Sequence, residues 1–258
     1  MDGTLLDENG QIPSEFDELM AELKKRGVLF APASGRQYHS LVHSFAQYEN
    51  DFIFLAENGT LVRYRGETLH ADIMEHETVL SIFAAVPQDN IYKVFCGLND
   101  AYILSSQDRP EFSGELGKYY TRATAVDDFA KADDRPIKVS LFDPTGHADE
   151  VIYPLVKDFA DKLQVVVSSP QWVDLMSKEA SKGAAVQVVQ QRLHILPEEC
   201  AAFGDYLNDA EMMTAVYHSF AMANAQPEIK KLARYQTESN AEHGVIKGIK
   251  RLMEQGFC

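Results

Sequence analysis

Both ends of this chain alternate between short apolar runs of strand length and segments with helical spacing, and that alternation admits few folds. Residues 14–26 place Phe16, Leu19, Met20 and Leu23 on one helical face, with Ser14 positioned to cap the start and Gly27 to stop the end. Residues 28–33 form an apolar run, Ser34-Gly35 a turn, and residues 37–48 a helix-like stretch. A second apolar run covers 52–56. Asn58-Gly59 follows as a favoured hairpin dipeptide, with 60–64 as the returning strand. Toward the C-terminus, helices predicted over 182–193, 209–216, 227–233 and 245–254 alternate with strands over 200–203 and 218–222, and Pro197 opens a short helical turn. This order predicts an α/β fold built on a parallel, doubly wound sheet.

The middle is patterned differently. Strands predicted over 92–96, 102–105, 137–142 and 164–168 mix with helices over 75–85 and 148–162, an α+β arrangement. The expected organisation is a first core part at 1–73, an inserted α+β domain at 74–178, and a second core part at 179–258.

Charge narrows the partners. Lys and Arg total 24 against 39 Asp and Glu, a net charge of −15. Such a balance argues against nucleic acid, whose phosphates need clustered cations, but leaves room for a small anionic substrate in a local positive field. Cys96, Cys200 and Cys258 are odd in number and far apart, which fits reduced thiols better than disulfides. No apolar run approaches the ~20 residues of a membrane span. Asp2, Asp7 and Glu8 occupy the place of a signal peptide's apolar stretch, so a cytoplasmic location is expected.

Several segments carry chemistry. Ala201, Ala202 and Phe203 run straight into Gly204-Asp205-Tyr206-Leu207-Asn208-Asp209, which puts carboxylates at the C-terminal end of a predicted strand, a setting that suits Mg²⁺. Lys182 follows Ser181 at a predicted helix start, where the macrodipole disfavours a cation and a bound phosphate would offset the cost. Taken alone, an exposed Lys is the simpler reading. Ser34 ends an apolar run before Gly35, so its hydroxyl and the next amide could seat an anion, although an isolated Ser-Gly reads more simply as a helix cap. Asp2-Gly3-Thr4 alone is a polar turn. His39 and His43 lie one helical turn apart without a third ligand and read as solvent-facing. Trp172, Tyr119 and Tyr120 read as packing residues.

Together, Met1-Asp2-Gly3-Thr4-Leu5-Leu6, Ser34-Gly35-Arg36, Ser181-Lys182-Gly183 and the 204–209 segment resemble the four signature motifs of the haloacid dehalogenase (HAD) superfamily of phosphohydrolases. Residues 220–225 and 240–245 also resemble its Cof-like branch, subclass IIB. The resemblance implies a Rossmann-like core with an inserted cap. It implies Mg²⁺-dependent hydrolysis of a small phosphorylated metabolite, a sugar phosphate first, through an aspartyl-phosphate. Asp2 would be the acid/base and lie at the metal with Asp205 and Asp209. Met1, Ser34, Gly35, Lys182 and Asn208 would hold the phosphate, Met1 and Gly3 through backbone amides alone. Asn58-Gly59 would lie near the cap hinge. The family motif reads Asp-x-Asp-Gly-Thr and Met1 stands at the x, so the nucleophile would fall one residue upstream. So would the central strand that ends in it, flanked by 28–33 and 200–203. The expected natural product therefore begins several residues earlier. A catalytically inactive phosphate-ester binder and a phosphomutase of related architecture are the alternatives.

Overall fold

The computed structural model describes residues 1–257, so Cys258 lies outside the described residues. In chain order its first elements are α1 (Phe16–Lys25), α2 (Tyr38–Ser44), β1 (Ile53–Ala56), β2 (Leu61–Tyr64), β3 (Glu67–Ala71) and α3 (His76–Ala85). Next come β4 (Tyr92–Gly97), β5 (Ala101–Leu104), α4 (Pro110–Leu116), β6 (Ala123–Val126), β7 (Pro136–Phe142), α5 (Ala148–Val151), α6 (Tyr153–Val156), β8 (Leu163–Val167) and β9 (Trp172–Ser177). The chain ends with α7 (Lys182–Leu193), β10 (Ala201–Gly204), α8 (Ala210–Ala215), β11 (His218–Ala221), α9 (Pro227–Leu232), β12 (Tyr235–Gln236) and α10 (Gly244–Glu254). Among the described residues no helix is long and apolar enough to cross a membrane.

The chain divides into two compact units. One comprises Met1–Gly35, Ala46–His70 and the chain from Ser181 onward; the other comprises Arg36–Phe45 and Ala71–Ala180. Residues 36–45 thus group with the second unit, whereas the sequence boundaries set them in the first.

In the first unit, α1 buries Phe16, Leu19, Met20 and Leu23, the face its spacing predicts. Phe16 meets Phe30, Tyr48 and Phe52 edge-on, with ring centroids 5.4, 5.9 and 6.2 Å away. Gly27 ends the turn after α1 at φ +73°, a conformation costly for other residues. Ser14 does not cap the helix, because its hydroxyl donates to the Glu15 carboxylate instead. Two three-stranded sheets carry the unit: β1-β2-β3, in which β1 and β2 are an antiparallel hairpin, and the parallel β10-β11-β12. Residues 28–33, predicted as a strand, run extended beside β1 with one parallel bridge, Ala33 to Leu55. The Ile53 and Leu55 amides donate to the Phe30 and Pro32 carbonyls at 3.1 and 3.0 Å, and the Ser34 amide donates back to Leu55 at 3.0 Å. Pro32 offers no amide, and among the described residues the segment bonds to β1 alone, so its ladder is short.

The second unit holds one six-stranded sheet in the order β6-β5-β4-β7-β9-β8, antiparallel except for β5 with β6. One face packs on α3, α5 and α6 through Val79, Ile82, Phe95, Val139, Ile152 and Val173. The single helix predicted over 148–162 is instead α5, α6 and a short 3₁₀ turn. Pro154 stands within α6, lacks an amide and crowds the carbonyl four residues back. Strand β9 escaped the sequence reading because Asp174 interrupts its apolar run. That carboxylate is buried in the ladder and accepts the Ser140 hydroxyl at 2.5 Å.

Candidate active site

The functional candidates of the first unit gather where β10, the 28–34 segment and β1 end. Residues 1–6 fold into a tight turn in which the Thr4, Leu5 and Leu6 amides all point at the Met1 carbonyl, 2.9–3.3 Å away. Gly3 takes φ +68°, and a Cβ there would run into the Asp205 carboxylate. Only glycine combines that conformation with that approach. The Thr4 hydroxyl donates to Asp205 Oδ1, tying the N-terminal turn to the end of β10. Asp2 is exposed on the same turn.

Two asparagines outside the predicted site hold this turn. Asn224 Nδ2 donates to the Gly3 carbonyl at 2.8 Å, and Asn240 Nδ2 donates to the Leu6 carbonyl at 2.9 Å. The Asn240 amide in turn donates to Asn224 Oδ1 at 3.2 Å. Both residues lie in segments that the sequence reading singled out only for their family pattern.

Helix α7 starts at Lys182 because the Ser181 hydroxyl accepts the Ala184 amide at 3.0 Å. Lys182 is buried rather than exposed, and its Nζ lies 2.7 Å from Asp209 Oδ1, with each side chain 5% exposed. Asp209 Oδ2 accepts the Asp205 and Tyr206 amides at 3.0 and 3.3 Å, which fixes the turn after β10. Burial pushes the Asp209 carboxyl up, but the charge and hydrogen bond of Lys182 outweigh this and hold it below its usual range. Asp205 goes the other way. Burial raises its pKa and the neighbouring Asp209 charge adds to that, against the opposing Thr4 hydrogen bond. Asp209 is therefore compensated by a bonded cation, whereas burial disfavours the charged form of Asp205.

Ser34 is buried. Its amide donates to Leu55, and its carbonyl accepts the Asn58 amide at 2.9 Å. Gly35 follows, close enough that a Cβ would lie 3.1 Å from both polar atoms of the Asn58 side chain. Asn208 is exposed and donates to Asn58 Oδ1 at 3.1 Å. Asn58 is thus more than a hairpin residue, since it links the 34–35 turn to the 204–209 turn. The Met1 backbone nitrogen lies 3.5 Å from the Ala33 carbonyl. In the second unit His39 Nε2 lies 2.8 Å from the Asn99 carbonyl, so its ring is engaged by backbone. Among the described residues no three His, Cys, Asp or Glu side chains converge as a ready metal cage.

The family model of haloacid dehalogenase-like hydrolases matches residues 1–249. The 5-amino-6-(5-phospho-D-ribitylamino)uracil phosphatase YbjI of Escherichia coli (strain K12) is 29% identical over 264 residues, spanning 98% of this chain and 94% of that one. The crystal structure of SMU.1108c from Streptococcus mutans UA159 superposes with a TM-score of 0.83 at 25% identity, over 98% of this chain and 97% of that chain. The HAD subclass IIB sugar phosphatase BT4131 shares the fold, with a TM-score of 0.76 at 19% identity over 100% and 97% of the two chains. The motif segments meet at the strand ends, and the family pattern runs nearly the whole length; the chain belongs to the haloacid dehalogenase-like hydrolases.

Proposed function

We propose that the chain is a Mg²⁺-dependent phosphatase acting on a small phosphate monoester, a sugar phosphate first, through an aspartyl-phosphate. The observation that carries this reading is the pairing of a buried Lys182 with Asp209 beside an under-compensated Asp205. A cation held at a helix start favours an anion in front of it. A buried carboxylate whose charged form is disfavoured gains from a divalent cation beside it. Magnesium is commonly held by one or two carboxylates, with phosphate oxygens and waters completing its shell.

Asp205 and Asp2 are the residues that would hold Mg²⁺. Asp209 has both oxygens committed to Lys182 and to two amides, so it supports the site rather than ligating. When bound, the metal would screen the negative charges of phosphate and carboxylate from each other. Lys182, the Ser34 hydroxyl, the Gly35 amide and Asn208 would bind the phosphoryl oxygens, with Asn58 fixing the Asn208 amide. The nucleophilic carboxylate belongs to the residue that would directly precede Met1. Its oxygen bonds to phosphorus as the ester P–O bond breaks, and Asp2 gives its proton to the departing alkoxide. Asp2 then takes a proton from water, whose oxygen attacks phosphorus and releases phosphate and the carboxylate. The sugar phosphatase and the ribityl-phosphate phosphatase among the similar proteins support a polyhydroxylated substrate.

The test is phosphate release from a panel of sugar phosphates by the chain carrying an upstream Asp, with Mg²⁺ and with chelator. An upstream Asn in place of that Asp, or chelation, should abolish turnover. Undiminished release with the Asn would sink the reading.

A further inference from the structure

The six-stranded sheet of the second unit ends at β8, whose outer edge pairs with no other strand among the described residues. One step past this strand the Ser168 amide donates to the Trp172 carbonyl at 3.0 Å. On the far side of β9 the Asp143 amide donates to the Gln171 carbonyl at 2.8 Å. Even-numbered residues of β9 therefore bond toward β8 and odd-numbered ones toward β7. Gln164 stands opposite Met176 and Val166 opposite Asp174, so the bonds from β8 to β9 fall on Gln164 and Val166. The alternation of an antiparallel ladder then turns the amides and carbonyls of Leu163, Val165 and Val167 outward.

Sheet edges are commonly guarded by charged side chains, proline, a bulge or a covering segment. Residues 163–169, Leu-Gln-Val-Val-Val-Ser-Ser, hold no charge and no proline, and the register of β8 with β9 runs without a shift. Val166 and Val167 are 40% and 39% exposed on opposite faces of the strand, while Leu163 and Val165 pack into the core of the unit. Other strands that end a sheet are guarded. Strand β3 carries Glu67 and His70, and β12 is only two residues long. Beside β6, at the other end of the same sheet, Gln37 takes up the backbone of Arg122. Its Nε2 donates to the Arg122 carbonyl at 3.0 Å, and its Oε1 accepts the Arg122 amide at 3.3 Å.

The edge of β8 is self-complementary. Two copies turned antiparallel about Val165 set Val165 against Val165 and Leu163 against Val167, so every outward residue meets an outward residue. That arrangement closes about six backbone bonds in three pairs. Val167 of each copy packs on Leu163 of the other, and Val166 on the stem of Gln164. The flanks agree. Lys162 falls opposite Ser168 and Asp161 opposite Ser169, so no like charges are brought face to face.

We propose that β8 receives a second copy of this chain, the two strands pairing antiparallel about Val165 and joining the two six-stranded sheets into one. A single strand pair buries less than the about 1,200 Å² of stable interfaces, so the dimer is weak and reversible. Each copy carries a net charge of −15, which opposes association and is screened by salt.

The experiment is sedimentation of the full chain between about 5 and 300 µM, with an expected dissociation constant of roughly 10–100 µM. Association should tighten several-fold as salt rises from about 0.05 to 0.5 M. At the top concentration amide exchange should slow about threefold at Leu163, Val165 and Val167, and stay unchanged at Gln164 and Val166, which β9 already holds. Val167→Pro removes an outward donor and no bond to β9, and should raise the dissociation constant at least tenfold. Val167→Thr keeps the amide and the branched shape and should stay within threefold of the parent. A chain that remains monomeric at every concentration overturns the proposal. So does a dimer whose protected amides lie elsewhere, one that weakens as salt rises, or one that Val167→Pro leaves intact. Should Val167→Pro fail to fold, the exchange pattern of the parent chain decides alone.

Discussion

Residues 28–33 and strand β7 make an instructive pair. The first, Val-Leu-Phe-Ala-Pro-Ala, has no polar side chain, yet Leu29 and Ala31 are exposed and the segment keeps a single bridge. Strand β7 carries Lys138 and Ser140, yet all seven of its residues are buried and it pairs along both edges, with β4 and β9. Apolar composition makes a run able to be a strand, but a neighbour on each edge makes it a buried one. The sheet of the second unit closes around its polar residues, with Ser140 bonded to Asp174 and to the Tyr120 hydroxyl at 3.0 Å. Among the described residues, the 28–33 segment of the first unit is bonded to β1 alone.

The buried ion pair of the first unit should give the largest effect. Lys182→Ala leaves the Asp209 charge buried without its partner and should destabilise the chain by about 3–5 kcal/mol in urea unfolding. In the chain carrying the upstream Asp it should also lower phosphate release on the order of 10²–10³-fold or more. A loss under about 1 kcal/mol would mean the pair behaves as a surface one. Proline substitution sharpens the contrast of edges. Val139→Pro deletes a ladder donor in a strand paired on both sides and should cost about 3 kcal/mol or more. A loss under about 1 kcal/mol would mean that β7 tolerates proline as an edge strand does. Ser140→Ala strips the Asp174 carboxylate of its hydroxyl donor and should cost about 1–3 kcal/mol, read from the same urea curves.

Much of this was legible in the chain because local rules decided it. The α1 face follows from the spacing of Phe16, Leu19, Met20 and Leu23, and the end of β10 follows from an apolar run meeting Gly204 and Asp205. The burial of Lys182 was not legible, since its partner stands 27 residues on and only the packing of α7 against the turn after β10 joins them. Asn224 and Asn240 are similar: asparagines after a strand or a bend are ordinary, and their bonds to residues 1–6 span more than 200 positions. Strand β9 was hidden by Asp174, whose burial is tolerable only because Ser140 lies opposite it in the neighbouring strand. The broken helix at Pro154 could have been read from the proline alone.

The smallest effect concerns His218, the histidine of β11; the six strands of the second unit contain no histidine. Burial lowers its pKa first of all, a bond to the Glu198 backbone opposes this, and the Arg234 charge lowers it further. The rings of Tyr217, Tyr235 and Phe257 surround it at 4.5–6.2 Å between centroids. A base whose folded pKa lies below its unfolded value of about 6.5 binds its proton more readily in the unfolded chain. Stability should therefore be level above that pH and fall as pH drops through it toward the folded value. Asp209, held low, adds its own loss only in the carboxylate range, so the two separate along the pH axis. Urea midpoints taken at pH 7, 6 and 5 should fall less steeply in His218→Phe than in the parent chain. Parallel slopes in parent and variant would mean that the surroundings of this ring solvate it as water does.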